Sequence, residues 1–192
     1  MWENSKRVQK AIRHFTREIE QIDALIYSPG EDDPVLVAGT LERKRDDVVR
    51  TVVLQLHTSI EDLLTQLILY CALGITDKKL KHRLSSERGK AFRRMLYDHA
   101  SLGFDMKLNF AVGLGLITPA RRKQLMELNT MRNKCSHNWI LNRAVRRGKR
   151  PAQLKPRLLQ WRNNDLHKVA VVKEFVSEFG AVYLRLYAKW VQ

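Results

Sequence analysis

Apolar residues recur along most of this chain at intervals of three and four, the spacing that places side chains on one face of an α-helix. The pattern predicts a first helix over residues 5–27, and a second, long helix that begins between Pro34 and Asp46 and ends at Gly74. Further helices are predicted over about 85–100, 105–116, 120–137 and 165–190. No segment longer than residues 35–37 has the pattern of a strand. We therefore predict an all-α helical bundle of five or more helices, formed as one domain over residues 1–192.

The helix predicted over residues 120–137 combines an apolar stripe with an unusually polar arc. Thr118 is placed to cap its N-terminus, and Pro119 suits the first helical position. At roughly 100° per residue, the polar residues and the apolar residues fall on separate arcs. The polar arc carries Asn129, Arg132, Asn133, Ser136 and His137, and the apolar one carries Leu128, Met131 and Cys135. A polar arc of this kind predicts a functional site.

Arg132 and His137 are the chemically informative pair on this arc. In a continuous helix they are separated by about 140° and about 7.5 Å of rise, so either the helix frays near His137 or both side chains act on a third body. A phosphate is a suitable third body, because arginine binds its oxygens as a permanently charged fork. Histidine can give and take protons near neutrality. Together the two residue types suffice for RNA cleavage by the 2′-hydroxyl.

The run Arg132-Asn133, three residues and His137 resembles the motif of the HEPN-domain superfamily. The resemblance implies an all-helical homodimer that acts as a metal-independent endoribonuclease, in a toxin with a cognate antitoxin or regulatory protein, or in phage defence. It implies catalytic roles for Arg132, Asn133 and His137. One histidine does not comfortably serve as both acid and base, so we expect the partner protomer to supply the second. Some HEPN families have tyrosine where this chain has Trp139.

The segment Leu108–Trp139 is also similar to the mannitol-repressor branch of the superfamily, whose members are not clearly catalytic. That similarity implies an alternative function, a non-catalytic helical binding module or transcriptional repressor. In this alternative Arg132 and His137 would hold their helix by polar packing.

The charge balance favours a polyanionic partner, because 35 Lys and Arg against 20 acidic residues give a net charge of +15. Residues 128–164 contain no acid. Gly148, Pro151 and Pro156 predict a basic loop over about 142–158, with Trp139 and Trp161 at its flanks as base-stacking platforms or as core residues. The predicted nucleic-acid contacts, with RNA as the expected partner, are Arg143, Arg146, Arg147, Lys149 and Arg150.

Two other polar groups have competing interpretations. His57 and Glu61 lie one turn apart and are interpreted as a polar pair at the edge of the core in preference to catalytic residues. The basic residues of the helix over 85–100 form either a solvated face or an RNA-facing one. These basic residues are Arg88, Lys90, Arg93 and Arg94.

The sequence gives little support for a metal site or for a segment that spans a membrane. Cys71 and Cys135 lack zinc-ligand spacing and the six histidines are scattered, so we expect no metal and no cofactor. The longest uncharged apolar run, residues 63–76, is too short to cross a membrane, and the N-terminus has no signal-peptide pattern. We expect a cytoplasmic protein that does not contact membranes.

Overall fold

The structure is a computed structural model that describes the ranges 34–74, 85–97, 102–145 and 159–191, together with scattered positions between residues 6 and 24. The side chains of residues 34–41, 137–145 and 190–191 are outside this description. The helices bounded within it are α1 (Pro34–Leu73), α2 (Glu87–Tyr97), α3 (Phe104–Gly113), α4 (Pro119–Val145) and α5 (Val169–Val191). The described positions between residues 6 and 24 are helical as well. The predicted all-α fold is confirmed.

Local capping signals set several helix ends. The Thr118 hydroxyl accepts a hydrogen bond from the Arg121 amide at 3.2 Å, and the Ser86 hydroxyl accepts one from the Gly89 amide at 3.1 Å. Gly74 adopts a φ of 55°, a left-handed conformation that ends α1 directly after Leu73. The Thr118 cap and the end of α1 at Gly74 are predicted from the sequence and are confirmed.

Gly113 and Gly115 stand at the C-terminal end of α3. Gly115 adopts a φ of 68°, and the Leu116 amide donates to the Ala111 carbonyl at 2.8 Å, which closes the last turn. A methyl group added at Gly113 or Gly115 would meet nothing within 4 Å. Among the described residues, therefore, no neighbour approaches closely enough to require a glycine at either position.

Helix α4 is longer than predicted. It continues to Val145, eight residues past His137. The prediction that residues 142–145 belong to the basic loop is therefore wrong, and Arg143 is helical. The physical reason is that no proline or glycine interrupts the chain between Pro119 and Gly148. The remainder of the predicted loop, residues 146–158, lies outside the described residues.

Helix α5 begins later than predicted, because a small hairpin precedes it. Strands β1 (Gln160–Trp161) and β2 (Asn164–Asp165) pair antiparallel, with Trp161 opposite Asn164. Arg162 and Asn163 form the turn with φ values of 50° and 64°, the left-handed pair that a two-residue hairpin requires. The residues predicted to open the helix therefore form a strand.

The chain groups into two compact units, each with its own apolar core. The first comprises Met1–His57 and Thr130–Leu184, and the second comprises Thr58–Asn129 and Arg185–Gln192. Fully or nearly fully buried side chains of the first unit include Val49, Val53, Cys135, Phe175 and Phe179. Those of the second include Ile60, Leu64, Leu96, Leu108 and Leu125. The single domain over residues 1–192 stays a prediction.

Candidate active site on helix α4

The segment of α4 in the first unit separates apolar from polar side chains as predicted. Met131 and Cys135 are buried, whereas Arg132 and Asn133 are exposed and Ser136 is half-buried. The alternation follows from the helical period, since residues 131 and 135 are one turn apart on the same face. At Arg132 and Asn133 the candidate polar arc therefore faces solvent.

Arg132 and Asn133 are joined by a hydrogen bond at the surface of α4. Arg132 Nη1 donates a hydrogen bond to Asn133 Oδ1 at 3.1 Å, and the Ser136 hydroxyl donates to the Arg132 carbonyl at 3.1 Å. A guanidinium carries five N–H donors, so the bond to Asn133 uses a small part of its capacity. Arg132 is thus oriented by its neighbour and keeps the donor pattern that binds phosphate oxygens.

The backbone of α4 decides one of the alternatives left open by the sequence. The helix does not end near His137, and residues 132 and 137 lie on one continuous helix, separated by about 140° around its axis. The His137 side chain lies outside the described residues. Within one protomer, residues 132 and 137 therefore do not face each other along the helix. They can act together only on a third body that lies between them.

The predicted nucleic-acid contacts fall largely beyond the described residues. Arg143 has a helical backbone but its side chain is not described, and Arg146, Arg147, Lys149 and Arg150 are outside the described ranges. Within the described part of the acid-free segment over 128–164, the Lys134 ammonium donates to the Gln160 carbonyl at 3.4 Å. The basic tract therefore stays a prediction as a binding surface.

Trp161 is a core residue. Its side chain is 3% exposed and packs edge-on against Phe175 with ring centroids 5.3 Å apart. The Arg162 guanidinium lies 4.5 Å from the Trp161 ring centroid and forms two 2.7 Å hydrogen bonds with the Glu178 carboxylate. The stacking-platform interpretation of Trp161 is wrong and the core interpretation is confirmed. Trp139, its proposed counterpart, has no described side chain.

Sequence reasoning missed a polar cluster in the first unit, which we call the histidine clasp: Asp46, Arg50, Asp165 and His167. His167 Nε2 lies 2.9 Å from Asp46 Oδ1, and His167 Nδ1 lies 2.9 Å from Asp165 Oδ1. The Arg50 guanidinium donates to Asp46 Oδ2 at 2.5 Å. An ionised carboxylate can only accept, so this arrangement favours the charged imidazole, in which both ring nitrogens donate.

The environment of the histidine clasp shifts three pKa values. Burial alone would lower the pKa of His167, but hydrogen bonds to Asp46 and Asp165 outweigh it and raise the pKa above 6.5. Burial would raise the pKa of Asp46, but hydrogen bonds from His167 and Arg50 lower it below 3.8. The pKa of Asp165 is also lowered, because backbone and side-chain hydrogen bonds from His167 outweigh its burial.

The histidine clasp reaches the backbone of the candidate site. Arg50 Nη1 donates a hydrogen bond to the Cys135 carbonyl of α4 at 3.3 Å, between the positions of Arg132 and His137 in the chain. Burial raises the pKa of the Cys135 thiol to about 11, so this cysteine is a packing residue and a poor nucleophile. His167 cannot serve as the second acid or base while both of its nitrogens bond carboxylates.

Glu61, one member of the pair suggested on α1, has a structural role in the second unit. Glu61 Oε1 accepts a hydrogen bond from the Lys107 ammonium at 2.7 Å, and the Lys107 side chain is 2% exposed. His57, assigned to the first unit, is buried. Glu61 is thus the counterion of a buried lysine, which fits the interpretation of Glu61 as a structural residue.

No group of three or more His, Cys, Asp and Glu side chains among the described residues is arranged to hold a metal ion. None of the described helices is both long and apolar enough to cross a membrane. Comparison of the chain with protein-family models, curated proteins and solved structures finds no match. The HEPN resemblance therefore rests on the motif residues themselves and on the all-helical fold.

Proposed function

We propose that this protein is a metal-independent endoribonuclease of HEPN type that acts as a toxin or phage-defence effector. The observation that supports the proposal most is the exposed position of Arg132 and Asn133, side by side on a continuous α4. An exposed guanidinium that is oriented by a neutral amide is suited to bind a phosphate that arrives from solvent.

In the proposed reaction the 2′-oxygen of one nucleotide attacks the adjacent phosphorus. A base accepts the 2′-hydroxyl proton, and an acid protonates the departing 5′-oxygen as its bond to phosphorus breaks. The products are a 2′,3′-cyclic phosphate and a 5′-hydroxyl. Arg132 offsets the charge that develops on the phosphate, Asn133 orients the guanidinium, and His137 carries a proton.

The proposed site is composite. Its mechanism needs two proton-transfer groups, and each protomer offers His137 alone from the motif. A two-fold homodimer that opposes two α4 helices brings a second His137 to the same phosphate. The angular separation of residues 132 and 137 on one helix supports this arrangement, because a phosphate held between two protomers can meet both residue types.

The non-catalytic alternative predicts a buried Arg132 side chain. A binding module or repressor that uses Arg132 to hold α4 in place would bury its guanidinium in hydrogen bonds, whereas Arg132 is exposed. That exposure favours a role toward a ligand over a packing role. The alternative is retained as an outcome of the experiments.

The first experiment is incubation of the purified protein with total RNA, with and without a chelator. We expect cleavage that survives the chelator and leaves cyclic phosphate or 3′-phosphate ends. The rate should depend on pH through a group that titrates near neutrality, as an imidazole does. Cleavage that requires added magnesium would contradict the proposal.

A mixing experiment tests the composite site. Wild-type and His137→Ala chains are unfolded together, refolded in varied ratios and assayed for cleavage. If both protomers must supply His137, activity falls as the square of the wild-type fraction, to about a quarter at equal amounts. A linear fall, to about a half, would show that each protomer cuts alone.

RNA binding through the basic tract has its own test. Each phosphate contact releases counterions, so affinity should fall steeply with salt. Neutralising Arg146, Arg147, Lys149 and Arg150 together should flatten that dependence. Unchanged salt dependence in this variant would place the binding surface elsewhere.

A further inference from the structure

Helix α2 presents an ordered basic and aromatic surface in the second unit. Its inner side is fixed by the buried residues Gly89 and Leu96, with Phe92 and Met95 half-buried beside them. At roughly 100° per residue, the opposite side gathers four exposed residues within an arc of about 100°. We call this surface the α2 face, and it consists of Lys90, Arg93, Arg94 and Tyr97.

Tyr97 is the aromatic member of the α2 face. It is 44% exposed, which is unusual for a large ring, and the Arg93 guanidinium lies 5.9 Å from its centroid. Burial of part of the phenol, together with the nearby charge of Asp62, raises its pKa against the opposing effect of Arg93, so the ring is neutral at physiological pH. A neutral ring beside a guanidinium provides a surface on which a base can stack.

The charges of α2 are strongly one-sided. Glu87 is the only acid in the helix, and its carboxylate pairs with the Lys90 ammonium at 2.8 Å. Arg93 and Arg94 are therefore not neutralised by an acid of their own helix. We propose that the α2 face binds single-stranded RNA, with Arg93 and Arg94 on phosphates and Tyr97 stacked on a base.

The distribution of apolar side chains favours RNA over an anionic membrane. A membrane-surface helix inserts large apolar residues on the side away from its protein, whereas the large aliphatic and Phe side chains of α2 lie on its inner side. The α2 face presents cationic groups around one aromatic ring, with the exposed Glu87 at its edge as the one acid of the helix. Cationic groups around an aromatic ring are the combination that tracks a single-stranded backbone. The choice of RNA as the bound polymer rests on the proposed function. The α2 face adds the surface that holds this substrate.

Binding is measured without cleavage, using a fluorescent 2′-O-methyl oligouridylate of about 12 nucleotides, which has no 2′-hydroxyl to attack. The test variants are Arg93→Gln/Arg94→Gln, Tyr97→Ala and Tyr97→Phe. The control is Arg17→Gln/Arg185→Gln, which removes two exposed arginines elsewhere and changes the net charge equally. Thermal melting checks that each variant is folded.

We expect Arg93→Gln/Arg94→Gln to raise the Kd about ten-fold and to reduce the slope of log affinity against log salt by about 1.4, the value for two single-strand phosphate contacts. Tyr97→Ala should raise the Kd about five-fold or more, whereas Tyr97→Phe keeps the ring and should stay within about two-fold of wild type. The arginine control should change both quantities less than the test variant.

Three results would overturn the inference: equal loss in the test and control double variants, wild-type affinity in Tyr97→Ala, or binding to phosphatidylglycerol vesicles without binding to the oligonucleotide. The outcome is separable from that of the proposed function. Oligonucleotide binding that depends on the α2 face, in a protein that never cuts RNA, would leave this inference standing. Cleavage by a protein whose α2 variants bind and cut normally would remove this inference alone.

Discussion

Replacing Asp46 by asparagine removes the charge that accepts hydrogen bonds from both Arg50 and His167. The Arg50 and His167 side chains are 14% and 18% exposed, so both cations lose a partner in a largely desolvated place. Exposed ion pairs contribute about 0–1 kcal/mol, and breaking a fully buried one costs about 3–5 kcal/mol. Asp46 itself is 30% exposed, so we expect Asp46→Asn to lower the free energy of unfolding by about 2 kcal/mol.

The effect should depend on pH in a defined direction. The folded pKa of His167 is raised, so its contribution is fully present below its ordinary value of 6.5 and is lost as pH rises through the folded pKa. The folded pKa values of Asp46 and Asp165 are lowered, so their contribution is present above the ordinary value of 3.8 and is lost as pH falls through the folded values. The stabilisation is therefore greatest between those two limits and declines on the alkaline side.

The assay is thermal and urea unfolding of wild type and Asp46→Asn between pH 4 and 9, where a loss of about 2 kcal/mol lowers the Tm by about 4–8 °C. The control is Glu20→Gln, which removes an exposed ion pair with Lys173 in the same unit and should cost less than about 0.5 kcal/mol. Equal stability losses in Asp46→Asn and Glu20→Gln would refute the reasoning. So would a loss in Asp46→Asn that grows as pH rises above neutrality.

Three further predictions concern the cores and the thiols. Because burial raises the pKa of Cys135 to about 11 while Cys71 is exposed, a thiol reagent at pH 8 should label Cys71 rapidly and Cys135 only on unfolding, as mass spectrometry would show. Glu61→Gln removes the countercharge of the buried Lys107 ammonium and should destabilise by about 3–5 kcal/mol, whereas Glu61→Gln/Lys107→Met should recover most of the loss in urea unfolding. Trp161→Ala should cost about 3–5 kcal/mol in the same assay, whereas a loss under about 1 kcal/mol would contradict its place in the core.

The features predicted correctly from the sequence are those set by residues close in the chain. The capping of α4 by Thr118 and the end of α1 at Gly74 are signals local to one or two turns, and both are present as predicted. The burial of Met131 and Cys135 beside the exposed Arg132 follows from helical periodicity alone.

The features that were missed depend on unusual backbone or on distant residues. The hairpin before α5 turns at Arg162, and an arginine at positive φ gives no sequence signal of the kind that Asn-Gly gives. The contact between Asp46 and His167 joins residues 121 positions apart, so no local pattern predicts it. Its only traces in the sequence are the one-turn spacing of Asp46 and Arg50 and the short Asp165-x-His167 run.

In the proposed function Arg132 acts on a phosphate and does not hold the fold. The direct measurement is the RNA cleavage rate of Arg132→Ala in the presence of chelator, read beside its melting temperature, with the exposed Arg185→Ala as control and His137→Ala as the companion variant. We predict that Arg132→Ala and His137→Ala abolish cleavage. Arg132→Ala should melt within about 2 °C of wild type, because an exposed side chain contributes little to stability. Arg185→Ala should cut normally. Wild-type protein that does not cut RNA, or an Arg132→Ala protein that cuts as fast as wild type, would contradict the account.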